Sequence, residues 1–140
     1  MTKKKINILL FEDNPGDIRL FEELLRGEDS FDEVELNDVE RLKTGLELLT
    51  RKKPDVILLD LGLPDSQGLQ TFTSVYAQAP EIPIIVLTGF NDSDQVAEVV
   101  RSGAQDYLVK GEVSGELLMR AICHAVERKR AGDTLRNGQA

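Results

Sequence analysis

Residues 55–68 read DVILLDLGLPDSQG, and this stretch decides the fold. A continuous apolar run ends in an acid, Asp60, and a loop with Pro64 and Gly68 follows it. Runs of this kind, apolar on both sides, are typical of strands that are buried on both faces of a parallel sheet. Similar runs occupy residues 6–11, 83–88 and 106–110. Residues 34–39 alternate apolar and polar side chains, as an edge strand does. The sequence therefore predicts five strands.

Segments with a helical period alternate with these strands. Asn14 is a good N-cap and Pro15 suits a first helical position, and apolar residues then recur every three or four positions. The predicted apolar stripes are Ile18, Phe21 and Leu25; Leu42, Leu46 and Leu49; Leu69, Phe72, Tyr76 and Ala79; Val96, Val100 and Gly103; and Leu118, Ala121, Ile122 and Ala125. This alternation predicts a doubly wound α/β fold with a parallel sheet and helices on both of its faces. We expect one domain over residues 1–130 and a C-terminal tail over residues 131–140, with no output domain.

Composition excludes several classes of function. The 140 residues include 17 Lys and Arg against 25 Asp and Glu, a net charge of −8, which argues against direct nucleic-acid binding. The single cysteine, Cys123, excludes an intrachain disulfide framework and a multi-cysteine zinc site. No apolar stretch approaches the roughly 18 residues that a membrane span needs. We expect no membrane insertion and a cytoplasmic location.

Polar side chains end the predicted strands at one edge of the sheet. Glu12 and Asp13 follow the first strand, Asp60 ends the third, Thr88 the fourth and Lys110 the fifth. The carboxyl ends of parallel strands meet at one crevice, where three carboxylates repel one another. Mg²⁺, a hard cation that prefers oxygen ligands, would relieve this repulsion. A metal and a lysine beside carboxylates form a phosphate-handling arrangement, and the nucleophile that remains is a carboxylate.

Several short motifs of the sequence resemble those of a known family. Residues 12–15 (EDNP), 60–65 (DLGLPD) with Gly68, 88–89 (TG) and 106–110 (DYLVK) are similar to the motifs of receiver domains of two-component response regulators. The resemblance covers nearly the whole chain in order, from about Lys5 to Arg128. It implies a flavodoxin-like (βα)5 fold, whose five-stranded parallel sheet has the strand order 2-1-3-4-5.

The resemblance implies that Asp60 accepts a phosphoryl group with Mg²⁺ as cofactor. It further implies that Asp13 binds the metal directly, that Glu12 reaches it through water, and that Asp60 and the backbone carbonyl of Gly62 complete the shell. Gly62 and Phe90 are expected to flank the acceptor and to influence the access of water.

Four more roles follow from the resemblance. Lys110 pairs with a phosphate oxygen, the hydroxyl of Thr88 moves to hydrogen-bond the phosphoryl group, Gly89 keeps the pocket open, and Tyr107 switches between exposed and buried rotamers. The chain departs from the family at Gly111, where a proline usually follows the lysine, often after a cis bond. Since a cis bond without proline costs about 2.5–4 kcal/mol, the geometry of the Lys110–Gly111 peptide stays open.

The expected partners are a sensor histidine kinase or a histidine phosphotransfer protein as donor, and a downstream protein on the face formed by the fourth helix, fifth strand and fifth helix. A homodimer is a further option. We expect no turnover of external substrates, because the domain only assists its own phosphorylation and dephosphorylation.

The sequence leaves other functions open. A phosphorelay intermediate and a receiver fragment of a hybrid kinase share all of these motifs. An aspartate-nucleophile phosphatase would carry a second acid two residues after Asp60, where Gly62 stands. A flavin-binding electron carrier would need a Ser/Thr/Gly-rich loop after the first strand, and residues 12–16 are acidic instead. A pseudo-receiver would lack part of the acidic set.

Overall fold

The structure is a computed structural model that describes residues 5–26, 33–89 and 93–138. Within these ranges, strands and helices alternate as the sequence predicts, with one additional hairpin. The elements are β1 (Lys5–Phe11), α1 (Pro15–Arg26), β2 (Glu33–Val39), α2 (Leu42–Arg51), β3 (Val56–Asp60), β4 (Gly62–Leu63), β5 (Ser66–Gln67), α3 (Leu69–Gln78), β6 (Ile84–Thr88), α4 (Ser93–Arg101), β7 (Asp106–Val109) and α5 (Gly115–Gly138).

The main sheet is parallel and has the order β2-β1-β3-β6-β7. Counted among themselves, its five strands follow the predicted order 2-1-3-4-5, with the alternating strand β2 at one edge. The two-residue strands β4 and β5 pair antiparallel, outside this sheet. The sequence did not predict this hairpin, since two-residue strands carry no periodic signal.

Side chains alternate between the two faces of the sheet, and each face has its own apolar core. Ile8 and Leu10 of β1 pack in a cluster with residues of α1 and α5. Leu9 and Phe11 of the same strand pack in a second cluster with residues of α2, α3 and α4. Both faces are thus covered, which explains why the central strands read as continuous apolar runs.

Two predicted helix faces need correction. In α4 Val100 is 46% exposed, and Val99 is buried instead, so the helix is turned by about one residue from the predicted stripe. In α3 Tyr76 is 38% exposed, at the flank of the buried residues Phe72 and Val75. The rotation of a short helix about its axis depends on the elements that pack against it. The hydrophobic period of the sequence does not predict this rotation to within one residue.

Two glycines allow close approach of helices. A Cβ atom on Gly45, in α2, would overlap the ring of Phe11 at the end of β1. Gly103, just after α4, has a φ of 121°, and a Cβ there would lie 2.6 Å from the ring of Tyr76. Gly45 therefore seats α2 against the strand that leads to Glu12.

The last helix runs to Gly138 and crosses the boundary predicted at residue 130. The division into a domain over 1–130 and a tail over 131–140 stays a prediction. In the part of the chain that the structure describes, no helix is both long enough and apolar enough to cross a membrane.

Candidate functional site

The strand register brings the predicted acids to one edge. Phe11 is level with Leu59, and Asp60 with Leu87, so β1, β3 and β6 end side by side. Carboxylate oxygens of Glu12, Asp13 and Asp60 all lie within 4.8 Å of one another. The predicted acidic cluster is therefore present.

The ammonium group of Lys110 lies among these acids, although the residue itself follows the edge strand β7. Its Nζ donates to Oδ2 of Asp60 at 2.7 Å and to Oδ2 of Asp17 at 3.0 Å, and it also contacts Oε1 of Glu12. Burial of the ammonium group opposes its charge, but the hydrogen bonds to Asp60, Glu12 and Asp17 outweigh burial and raise the pKa of Lys110. The lysine is thus held in its charged form by three carboxylates.

Glu12 is completely buried, which is unusual for a carboxyl group. Burial, together with the neighbouring Asp60, raises the pKa of Glu12 to about 7 against the opposing effect of Lys110. Its Oε2 accepts hydrogen bonds from the backbone N–H groups of Asp13, at 3.1 Å, and Asn14, at 3.3 Å. The side chain is therefore fixed at both oxygens, and a cation bound beside it would favour its charged form.

Asp17 is a site residue that the sequence reasoning missed. Asn14 caps α1 as predicted, because its Oδ1 accepts from the N–H groups of Gly16 at 2.8 Å and Asp17 at 3.3 Å. The first turn of α1 consequently opens at the same edge as the strand ends and places Asp17 beside Lys110. The available signal was an acid in the first turn of a helix that starts directly after a site strand.

Asp60 is held on both carboxylate oxygens. The N–H of Gly62 donates to Oδ1 at 2.9 Å, and Lys110 holds Oδ2. The carbonyl of Leu61 accepts from the N–H of Gly68 at 2.8 Å and from the hydroxyl of Thr71 at 3.1 Å. The loop after Asp60 is therefore fixed by its own hydrogen bonds. The metal-ligand role of the Gly62 carbonyl stays a prediction.

The remaining predicted residues lie on the neighbouring strand ends. Thr88 is buried, and its hydroxyl donates to the carbonyl of Leu108 at 3.4 Å. The N–H of Lys110 donates to the carbonyl of Thr88 at 2.9 Å, which joins the ends of β6 and β7. Gly89 follows Thr88 and is exposed, whereas Phe90 lies outside the described residues.

Tyr107 is 44% exposed on β7, the outermost strand of the sheet, which places the ring in an outward position. Its N–H donates to Oδ1 of the adjacent Asp106 at 2.8 Å. The Lys110–Gly111 peptide bond is trans, so the open question about this bond is answered.

The donor set suits a hard divalent cation. Glu12, Asp13 and Asp60 offer only carboxylate oxygens, which Mg²⁺ prefers, and they lie close enough to share one ion. Lys110 offsets part of their charge but leaves Asp13 without a bond to it among the described contacts. The residues present therefore fit a metal at the position that the sequence predicts.

Comparisons with known proteins agree with this geometry. The family model described as a response regulator receiver domain matches residues 8–122. The KDP operon transcriptional regulatory protein KdpE of Escherichia coli is 35% identical over 114 residues, which cover 81% of this chain and 48% of KdpE. The regulatory protein LuxO of Vibrio cholerae is 37% identical over 78 residues, 56% of this chain and 17% of LuxO. The chain thus spans less than half the length of these relatives.

Solved structures show the same fold. A response regulator receiver domain protein from Clostridium thermocellum is 26% identical, with a TM-score of 0.78 over 90% of this chain and 98% of that one. The receiver domain of a sensor histidine kinase from Pseudomonas aeruginosa, whose structure has a magnesium ion coordinated in the active-site cleft, is 27% identical, with a TM-score of 0.73 over 88% of this chain and 98% of that one. The chain therefore belongs to the family of response regulator receiver domains.

Proposed function

We propose that Asp60 accepts a phosphoryl group in a Mg²⁺-dependent reaction and that this modification switches a protein-binding surface. The observation that carries the proposal is the geometry around Asp60. Its Oδ2 lies 2.7 Å from Nζ of Lys110, and Glu12 and Asp13 lie beside it in one cluster. A carboxylate flanked by a lysine and two further acids suits an aspartyl-phosphate intermediate more than a simple surface ion pair.

The chemistry is an in-line transfer. One carboxylate oxygen of Asp60 forms a bond to phosphorus while the P–N bond of a phosphohistidine donor breaks and the imidazole leaves and takes up a proton. Lys110 then exchanges part of its contact with Asp60 for a phosphoryl oxygen, and so stabilises the negative charge that is spread over the group. Bound Mg²⁺ would supply the remaining charge neutralisation.

The metal would be held by the acidic cluster. Asp13 and Asp60 would bind it directly, Glu12 would act through water, and the backbone carbonyl of Gly62 would complete the protein ligands. Support comes from the shared 4.8 Å cluster of the three acids. The closed loop that carries Gly62 also supports it, since Mg²⁺ demands near-ideal geometry.

The switch would begin at Thr88. Its hydroxyl makes a long hydrogen bond of 3.4 Å to the carbonyl of Leu108, which costs little to exchange for a charged phosphoryl oxygen. Gly89 would leave room for that group. Movement of Thr88 would open space for the exposed ring of Tyr107, so the face of α4, β7 and α5 would change. Phosphorylation acts in this way by stabilising one of two states more than the other.

The donor we propose is a sensor histidine kinase or a histidine phosphotransfer protein, and the target is a downstream protein on the α4–β7–α5 face. We place the reaction in the cytoplasm. A phosphorelay intermediate would use the same site, and only its acceptor would differ. Since the chain covers 17% of LuxO, the output of the whole regulator does not transfer to it.

The experiment is intact mass spectrometry after incubation with acetyl phosphate, with Mg²⁺ and with excess EDTA. We expect the wild type to gain the mass of one phosphoryl group only with Mg²⁺. Asp60→Asn should gain nothing, whereas Asp38→Asn, a variant of an exposed acid on β2, should behave as wild type. Full labelling of Asp60→Asn would identify another acceptor and contradict the proposal.

A further inference from the structure

The first turn of α2 has no cap of its own. Its N-cap residue, Arg41, makes no side-chain hydrogen bond to the helix. The N–H groups of Leu42 and Lys43 donate instead to Oδ1 and Oδ2 of Asp65, at 2.8 and 3.0 Å. The first N–H groups of a helix have no intrahelical partners and attract negative charge. A carboxylate from a distant loop therefore caps α2.

Asp65 lies in the turn between β4 and β5, in the loop that follows the phosphoacceptor. Gly62 starts this hairpin, pairs with Gln67, and donates its N–H to Oδ1 of Asp60 at 2.9 Å. The side-chain amide of Gln67 donates to the carbonyl of Leu63 at 2.8 Å, and this bond further closes the hairpin. A displacement of Asp65 would consequently be passed on to Gly62.

The same first turn of α2 also contacts the other half of the site. Gly45 packs so closely on the ring of Phe11 that a Cβ would overlap it. Phe11 directly precedes Glu12, and the N–H of Glu12 donates to the carbonyl of Val39, near the start of α2, at 3.0 Å. Helix α2 therefore contacts both the backbone of Glu12 and Asp13 and the loop after Asp60.

We propose that Asp65 is a positioning residue for the cation site. Through its cap on α2, it fixes the hairpin relative to the Glu12–Asp13 backbone, so that Gly62 and Asp60 meet those acids at the spacing that a small octahedral ion requires. The inference rests on the proposed function. Asp65 itself makes its described side-chain bonds to Leu42 and Lys43 and takes no part in the acidic cluster.

The test compares two substitutions. Asp65→Ala removes both cap bonds, whereas Asp65→Asn keeps one acceptor oxygen. Calorimetric titration with MgCl₂ should show a Kd about fivefold higher for Asp65→Ala, the loss expected when a cap no longer orders the site, and a smaller rise for Asp65→Asn. The matched control is Glu47→Ala, which removes an exposed carboxylate from α2 itself and should leave the Kd unchanged.

A second readout separates positioning from general destabilisation. The rate of labelling by acetyl phosphate is measured over a range of Mg²⁺ concentrations, below the melting temperature of each variant. Saturating Mg²⁺ should restore the wild-type rate in both Asp65 variants, because the chemistry at Asp60 is intact. If Asp65→Ala fails to fold, Asp65→Asn carries the same comparison.

A wild-type Kd in a folded Asp65→Ala protein would overturn the inference, as would an equal rise in Glu47→Ala. These results are distinct from a failure of the proposed function, in which the wild type itself would neither respond to Mg²⁺ nor be labelled.

Discussion

The side chain of Lys110 reaches from the end of the outermost strand, β7, past β6 to β3, where its Nζ lies 2.7 Å from Oδ2 of Asp60. One ammonium group thereby neutralises part of a pocket that contains several acids. Removal of this group should show how much the uncompensated acids lower the stability of the folded protein.

Lys110→Met should destabilise the metal-free protein. The substitution leaves the buried Glu12 and the half-buried Asp60 without their cation, and we expect a loss of about 3 kcal/mol in the free energy of unfolding. Urea denaturation in EDTA measures this loss, and added Mg²⁺ should recover part of it, since a second cation replaces the first. Lys53→Met, which breaks the exposed pair between Lys53 and Glu81, should change stability by less than about 1 kcal/mol. Similar losses in the two variants would contradict the prediction.

The stability of the metal-free protein should fall as pH rises through the range in which Glu12 titrates. Because burial raises the pKa of Glu12 from 4.5 to about 7, the folded state binds this proton more tightly than the unfolded state. The stabilisation is complete below the unfolded pKa and is lost as pH rises to the folded one, a change of about 3 kcal/mol. The check is denaturation of the wild type and of Glu12→Gln in EDTA at a series of pH values. The free energy of unfolding of the wild type, relative to that of Glu12→Gln, should fall as pH rises. A difference that stays flat or rises with pH would show that the pKa of Glu12 is not raised in the folded state.

Gly45→Ala should destabilise the protein although alanine favours helices. The new Cβ would overlap the ring of Phe11, and such overpacking costs about 1–3 kcal/mol. Thermal or urea denaturation measures the effect. Thr44→Ala, one residue earlier and exposed, is the matched control and should be neutral or slightly stabilising. Stabilisation by Gly45→Ala would mean that α2 shifts freely away from β1.

Thr88→Ala should separate phosphorylation from switching. We expect labelling of Asp60 to persist, since Lys110 and the acidic cluster are intact, while Tyr107 no longer changes its environment on phosphorylation. The chain has two tyrosines and no tryptophan, so tyrosine fluorescence in a Tyr76→Phe background reports on Tyr107. Thr88→Ser, which keeps the hydroxyl, should retain the fluorescence change. If Thr88→Ala showed the same fluorescence change on phosphorylation as the wild type, Thr88 would have no part in the switch.

The sequence predicted the acidic cluster because parallel strands place their carboxyl ends together. Four of the five predicted strands end at or next to an acid, a hydroxyl or a lysine of the predicted site. It did not predict Asp17, which reaches the site from a helix turn, nor the cap by Asp65, which joins two segments 23 residues apart. The sequence also did not predict that Val99 rather than Val100 is buried. This choice depends on how α4 packs on its neighbours, and the helical period alone does not predict it.

The position of β7 has a consequence for association. An outermost strand presents one row of unpaired backbone groups, which can template a strand from another molecule. Here the strand is only four residues long, and Oδ1 of Asp106 already accepts the N–H of Tyr107. The edge is thus poorly suited to sheet extension between copies. A short edge strand with an N–H group already bonded within the chain limits aggregation through this side of the sheet.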